Sequence, residues 1–193
     1  MNVEDILNVG GALRAPIPEM TLTKPLPDAP HSADLRNGRR YEVGGCWFVT
    51  KCLAPRRPVL EADLASVIAE ALSWYAPAGK SLIGAFVVMP DHWHLLFRTV
   101  DGRDVSEFMR SLGHWISRKT RTRLAAASCQ WQEGFRDTRV RSLKQFQFMR
   151  QYIEDNPVRK RLVAAPSDWL WSTANERYKA LVPETWPVEF ELE

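Results

Sequence analysis

Two histidines, His92 and His94, offer the clearest chemistry in this sequence. They lie in the run Pro90-Asp91-His92-Trp93-His94-Leu95-Leu96-Phe97. If this run is a β-strand, its alternate side chains project to the same face, so both imidazoles point one way. Two imidazoles on one face can hold a divalent cation, with a further protein ligand and open positions for substrate oxygens. The alternative is a half-buried pair that binds no metal, because an HxH spacing alone is common.

A tyrosine and an asparagine four residues apart form the second group, within the run Gln151-Tyr152-Ile153-Glu154-Asp155-Asn156-Pro157. On a helix Tyr152 and Asn156 share a face, although Pro157 disfavours helical geometry at Asn156. A tyrosine hydroxyl can attack phosphorus and form a covalent phosphotyrosyl bond. The amide oxygen of Asn156 is suitable as a metal ligand. The alternative for Tyr152 is an aromatic residue at the edge of the core.

The distribution of charge indicates a polyanionic partner. The formal net charge is only +3, but residues 1–35 and 183–193 together hold nine of the 23 acidic side chains. Residues 36–182 keep 24 basic and 14 acidic side chains, a net charge of +10. So basic a segment attracts polyanions. The alternative is a solvated surface whose charge serves solubility.

Several basic residues are candidates for binding a nucleic acid. They end the longest predicted helix, follow it in the predicted fourth strand, and flank the tyrosine run: Arg118, Lys119, Arg121, Arg123, Arg136, Arg139, Arg141, Arg159, Lys160 and Arg161. Cations near a helix C-terminus also stabilise the helix itself. Trp115 and Trp131 lie among them, and exposed aromatic side chains stack on unpaired bases. Taken alone, each tryptophan is more often a core residue than a stacking platform.

Apolar patterning predicts the elements that position these groups. Strands are expected at 47–53, 83–89 and 92–99, with a fourth inside 135–141. Helices are expected at 61–75, at about 104–125, and around 146–153, the last closing near Asn156-Pro157. The order β-α-β-β-α-β-α predicts an α+β fold. It is a ferredoxin-like split βαβ antiparallel sheet, with helices on one face and an appended helix carrying the tyrosine.

Length and composition predict one folded unit with two polar ends. Residues 1–35 are proline-rich and predicted to be a mobile arm, 36–182 to be the folded domain that carries the candidate residues above, and 183–193 to be an acidic tail. No apolar run approaches the roughly 20 residues that span a bilayer. The three cysteines show no CxxC spacing, which favours a reducing compartment, so we expect a cytoplasmic protein.

Four blocks in this order resemble the REP-associated tyrosine transposases, members of the HUH (histidine, hydrophobe, histidine) group of single-strand nucleases. They are Met89-Pro90-Asp91-His92-Trp93-His94-Leu95-Leu96, Trp131-Gln132-Glu133-Gly134-Phe135-Arg136-Asp137, Tyr152-Ile153-Glu154-Asp155-Asn156-Pro157-Val158-Arg159 and Asp168-Trp169-Leu170-Trp171-Ser172-Thr173. The resemblance runs from about Gly44 to Tyr178. Each block alone is unspecific, whereas four in the same order are specific. The sequence departs from the pattern at Thr138, where many relatives have histidine.

The resemblance implies a mostly monomeric nuclease and strand-transferase that acts on the hairpins of repetitive extragenic palindromes (REPs). Such enzymes cut and rejoin single-stranded DNA with a divalent metal, Mg²⁺ or Mn²⁺, through a 5′-phosphotyrosine. His92 and His94 match the family's metal ligands, Tyr152 matches its nucleophile, and Asn156 matches the position of a further ligand.

Three other functions are compatible with some of these features. A non-catalytic regulator derived from such a transposase would bind DNA or RNA hairpins, but binding requires neither the histidine pair nor Tyr152. A metallohydrolase for a small phosphorylated substrate would need more carboxylate ligands and no strongly basic surface. Replication initiators and relaxases share the HUH chemistry but resemble this sequence less.

Overall fold

The computed structural model describes residues 44–53, 62–100, 102–123, 131–184 and 186, without the side chains of 120–123. The predicted arm at 1–35 lies outside these residues, as does most of the predicted acidic tail. No helix in the described ranges is long and apolar enough to cross a membrane.

Four strands and three main helices alternate in the predicted order. They are β1 (Cys46–Cys52), α1 (Ala62–Tyr75), β2 (Ser81–Val88), β3 (His92–Thr99), α2 (Val105–Arg123), β4 (Arg136–Val140) and α3 (Leu143–Glu154). A short helix α4 (Asn156–Arg159), a 3-10 turn (Pro166–Asp168) and a short helix α5 (Glu176–Lys179) follow. The strands form one antiparallel sheet in the order β2-β3-β1-β4. The predicted ferredoxin-like α+β fold is therefore confirmed.

The inner strand β3 has helices on both of its faces. Phe97 contacts Phe108 of α2, with ring centres 4.4 Å apart, so the face with Trp93, Leu95 and Phe97 lies against α1 and α2. The other face carries His92, His94 and Leu96 and is partly covered by α3. Burial on both sides explains why the apolar residues Leu95, Leu96 and Phe97 follow one another in this strand. The histidines thus lie on the α3 face of the sheet.

Helix α3 packs closely on the sheet because a glycine lies beneath it. Ser142 begins the helix by accepting a hydrogen bond from the backbone N–H of Gln145. Phe146 is buried against β2 at a register shift between Ile83 and Ala85. A Cβ atom on Gly84 would lie 2.7 Å from Cε2 of the Phe146 ring, closer than van der Waals contact allows. The absent side chain therefore sets how deeply α3 can dock.

We expect Gly84→Ala to destabilise the protein by about 1–3 kcal/mol, because the added methyl group overpacks the contact with Phe146. The free energy of unfolding in urea measures this. Gly113→Ala is the matched control. Gly113 is exposed in α2 with nothing within 4 Å of its would-be Cβ, so alanine there should stabilise the helix. Equal stability of the Gly84→Ala variant and the parent would contradict the packing described.

The outer edge of β2 is covered by a segment that follows α4. The backbone N–H of Val88 donates to the carbonyl of Trp171 at 2.9 Å, and that of Thr173 donates to the carbonyl of Phe86 at 3.0 Å. The indole N–H of Trp169 also donates to the Val88 carbonyl, at 2.9 Å. This edge segment, residues 169–173, removes an exposed strand edge on which other chains could pair.

Candidate active site

The two histidine rings meet on the α3 face of β3. Their Nε2 atoms lie 3.1 Å apart, so the rings share a face as strand alternation predicts. The side chain of His92 is 13 % exposed and lies at the rim, whereas His94 is 4 % exposed and lies deeper. A small ion or a phosphate oxygen would therefore approach the pair from the His92 side.

In each histidine ring the second nitrogen, Nδ1, contacts a neighbouring side chain. Nδ1 of His92 lies 2.6 Å from Oδ1 of Asp91. Because an ionised carboxylate only accepts hydrogen bonds, Nδ1 of His92 donates to Asp91, which leaves Nε2 as the nitrogen that faces His94. Nδ1 of His94 lies 2.8 Å from the hydroxyl of Thr50, which is directly opposite it on β1. Asp91 and Thr50 thus turn both Nε2 atoms toward each other.

The surroundings keep His94 and Asp91 in the protonation states that metal binding requires. The pKa of His94 is lowered to about 3, chiefly by burial and also by the neighbouring His92, while Asp91 opposes the shift. The hydrogen bond from His92 lowers the pKa of Asp91. At neutral pH His94 is consequently a neutral imidazole and Asp91 an ionised carboxylate, as metal coordination requires.

Helix α3 brings Tyr152 to this pair. Its ring centre lies 5.4 Å from that of His94 in an edge-to-face contact. Phe48 of β1 stacks on His94 at 5.2 Å and touches the tyrosine ring at 6.1 Å. The guanidinium of Arg159 lies 5.0 Å from the tyrosine ring centre. The predicted nucleophile and the predicted metal ligands therefore belong to one cluster.

Asn156 is close to Tyr152 in sequence but belongs to a new helix. Helix α3 ends at Glu154, and α4 begins at Asn156 with Pro157 in its first turn, where its missing N–H costs nothing. Asn156 is buried, and within the described ranges it makes no hydrogen bond or ring contact with either histidine. The described residues also contain no group of three or more His, Cys, Asp or Glu side chains suited to a metal. The contacts among the described residues therefore join His92 to His94 directly, and Asn156 stays a predicted ligand in the first turn of the next helix.

The two predicted DNA-binding residues on β4, Arg136 and Arg139, lie on opposite faces of the sheet. Arg136 pairs with Thr50, which pairs with His94, so Arg136 projects on the histidine face. Arg139 pairs with Trp47 on the opposite face. Lys160 helps to lower the pKa of Asp91, which places its charge near the site. Arg141 and Arg161 are exposed.

The predicted basic group on α2 lies elsewhere. This helix packs on the sheet face opposite the histidines, so the sheet separates Arg118 and Lys119 from the pair. Lys119 lies 5.4 Å from the ring centre of Trp115, a contact within its own helix. The side chains of Arg121 and Arg123 lie outside the described residues. Trp115 and Trp131 are both partly buried against the core.

The sequence prediction missed three residues that support the cluster: Asp91, Thr50 and Phe48. The sequence prediction gave Asp91 no role of its own, although its place directly before His92 was a usable signal. Thr50 and Phe48 alternate along β1, but only the pairing of β1 with β3 places them beside His94. No sequence signal gives that register.

Comparisons with known proteins show the family of this chain. Residues 48–156 match the family model described as Transposase IS200 like. The REP-associated tyrosine transposase of Escherichia coli (strain K12) is 30% identical over 151 residues, covering 77% of this chain and 88% of that protein. A solved structure of a REP-associated tyrosine transposase bound to a REP hairpin is 27% identical. It superposes with a TM-score of 0.60 over 80% of this chain and 92% of that chain. The chain therefore belongs to the IS200-like transposases and, within them, to the REP-associated tyrosine transposases.

Proposed function

We propose that the chain cuts and rejoins single-stranded DNA beside a hairpin, with Tyr152 as the nucleophile and His92 and His94 as ligands of a divalent cation. One observation carries the proposal: the Tyr152 ring lies 5.4 Å from that of His94, whose Nε2 converges on Nε2 of His92. The similarity to a transposase solved with a REP hairpin supports hairpin DNA as the substrate.

The histidine pair fits a cation. Two ligands at a right angle, each about 2.1 Å from one metal ion, are about 3.0 Å apart. The Nε2 atoms are 3.1 Å apart, and both rings are oriented through Nδ1. Asn156 and substrate oxygens would complete the coordination of Mg²⁺ or Mn²⁺. When bound, the cation polarises the scissile phosphate and offsets the charge on the leaving oxygen.

In the proposed reaction the hydroxyl oxygen of Tyr152 forms a bond to phosphorus, and the bond from phosphorus to the 3′ oxygen breaks. The tyrosine loses its proton, and the leaving oxygen gains one to become a free 3′-hydroxyl. The product is a 5′-phosphotyrosine, which a 3′-hydroxyl can attack to rejoin a strand. Phe48 and His94 both contact the tyrosine ring, and fixing the ring in this way would orient its hydroxyl for attack.

The test is a covalent-adduct assay. The full chain is incubated with end-labelled hairpins carrying single-stranded extensions and with Mg²⁺ or Mn²⁺, then separated on a denaturing gel. We expect a metal-dependent DNA band that migrates with the protein. If the chain binds the hairpin tightly but forms no such band, the result favours the alternative of a non-catalytic hairpin-binding regulator. RNA hairpins are then used as a second probe of binding.

We expect Asp91→Asn to weaken Mn²⁺ binding by about 10- to 100-fold, because the carboxylate fixes which nitrogen of His92 is free to coordinate. Isothermal titration of the full chain with Mn²⁺ measures this without relying on activity. Asp63→Asn, an exposed change in the first turn of α1, should leave the affinity unaltered. If Asp91→Asn binds Mn²⁺ as tightly as the parent, the carboxylate does not orient the ligand.

A further inference from the structure

A cleft of about 470 Å³ lies on the side of the molecule away from the histidine pair. Its walls come from α1, α2 and the chain around α5, and α1 and α2 cover the opposite face of the sheet. Trp74 of α1 and Trp115 of α2 line it; Trp74 is 45% exposed and Trp115 is partly buried. Pro77 and Leu181 add to the apolar lining. The cleft therefore has room for several apolar side chains between two tryptophan rings.

Positive charge surrounds this cleft. Lys119 and Arg177 line it, and Lys80 lies beside it, with its ammonium 5.4 Å from the ring centre of Trp74. Among the described residues, Glu70 is the only acidic side chain in the lining. Three cations against one carboxylate favour an occupant that carries negative charge.

The N-terminal arm contains a segment with matching chemistry. Residues 25–30, the proline segment, read Pro25-Leu26-Pro27-Asp28-Ala29-Pro30. A segment so rich in proline favours the extended polyproline II helix, and such helices dock in grooves lined by aromatic side chains. Asp28 places a negative charge within the segment, and residues 1–35 carry five acidic against two basic side chains. The segment thus complements both the tryptophan walls and the charge of the cleft.

The arm also joins the folded domain close enough to the cleft. The carbonyl of Gly44 accepts a hydrogen bond from Arg98 near the end of β3. Arg98 pairs with Leu82 at the start of β2, and Lys80 directly precedes that strand. Two strand spacings, roughly 10 Å, separate the start of β1 from β2. The thirteen residues between Pro30 and Gly44 can span about 40 Å, so the segment can reach the cleft of its own chain.

We propose that the proline segment, residues 25–30, docks in this cleft of its own chain. Its proline rings would pack on Trp74 and Trp115, and Asp28 would lie among the cations. Because the segment is tethered, its effective concentration is on the order of millimolar, so even a weak contact is populated. The arm is then held on the face away from the histidine pair, and its docking requires neither DNA nor a metal ion.

The test is ¹⁹F NMR of the full chain labelled with 5-fluorotryptophan. The resonances of Trp74 and Trp115 are assigned with Trp74→Phe and Trp115→Phe variants. A triple-serine variant combines Pro25→Ser, Pro27→Ser and Pro30→Ser. In it we expect both resonances to shift and to respond more strongly to exchange of H₂O for D₂O, because water replaces the proline rings. The signals of the six other tryptophans should stay in place, which shows that the folded domain is intact.

The matched control is the double variant Pro16→Ser, Pro18→Ser, which removes two prolines of the same arm outside the segment. It should leave both resonances where they are in the unmodified chain. A peptide of residues 16–35, added to the triple-serine variant, should move them back towards those positions. Asp28→Lys in the peptide should weaken its binding by roughly two- to fivefold, because it replaces an attraction to the cations with a repulsion.

The inference is overturned if neither resonance moves in the triple-serine variant, or if both move equally in the control. It also fails if their positions in the unmodified chain depend on protein concentration, since the arm would then dock in a second copy. If hairpin DNA moves the two resonances and the arm substitutions do not, the occupant of the cleft is DNA.

Discussion

Replacing Tyr152 with phenylalanine is expected to abolish DNA cleavage and the covalent adduct, with a rate loss of roughly 10⁴-fold or more. The change keeps the ring, and therefore its contacts with His94 and Phe48, and removes only the hydroxyl. Hairpin affinity should stay within about twofold of the parent, since stacking and phosphate contacts do not use this oxygen. Single-turnover cleavage and a gel-shift titration measure the two effects on one preparation.

Tyr178→Phe is the matched control for this substitution. Tyr178 is buried against Phe86 on β2, and within the described residues its hydroxyl has no hydrogen-bond partner. Removing that hydroxyl should change neither cleavage nor stability appreciably. If the Tyr152→Phe protein still forms the adduct while the Tyr178→Phe protein does not, the nucleophile has been assigned to the wrong tyrosine.

Replacing His92 with alanine is expected to slow cleavage by about 100- to 1000-fold, because it removes one of the two nitrogens that would hold the charge-stabilising cation. His92 is the better target of the pair since it lies at the rim, whereas His94 is buried. Mn²⁺ binding, followed by calorimetry, should weaken in parallel. Folding, followed by thermal unfolding, should change little.

His114→Ala serves as the control, because His114 is exposed on α2, across the sheet from the site. It should cleave DNA and bind Mn²⁺ as the parent does. If the His92→Ala protein cleaves DNA at the parent's rate in both Mg²⁺ and Mn²⁺, the contact between the two histidines has only a structural role. The proposed role of the cation would then have to be withdrawn.

The elements of the fold were predictable because their signals are local. Strand alternation and helical periodicity placed the main elements to within about two residues, as β3 (His92–Thr99) and α1 (Ala62–Tyr75) show, except that α3 begins at Leu143, three residues before its predicted start. The same alternation put both histidines on one face. Periodicity within a helix or strand shows which of its residues share a buried face, whichever other element packs on that face.

What the sequence did not reveal depends on contacts between distant segments. The sequence prediction grouped the basic residues at the end of α2 with those near Tyr152 as one set of DNA-binding candidates. Clustering of charge along the sequence does not show which face of the sheet a helix covers. The block at 168–173 was recognised only by resemblance, and its pairing with β2 requires the three-dimensional path of the chain. The role of Gly84 likewise appears only once Phe146 is placed above it.

The edge segment also has a consequence for the order in which the protein matures. Synthesis proceeds from the N-terminus, so His92, His94 and Tyr152 all leave the ribosome before residues 169–173 do. Until then the backbone N–H of Val88 and the carbonyl of Phe86 lack the partners that close this edge of the sheet. A nascent chain can therefore contain every predicted catalytic residue and still lack the segment that covers the outer edge of β2. If the chain cuts DNA as proposed, it would acquire that ability late in translation, once residues 169–173 cover this edge of the sheet.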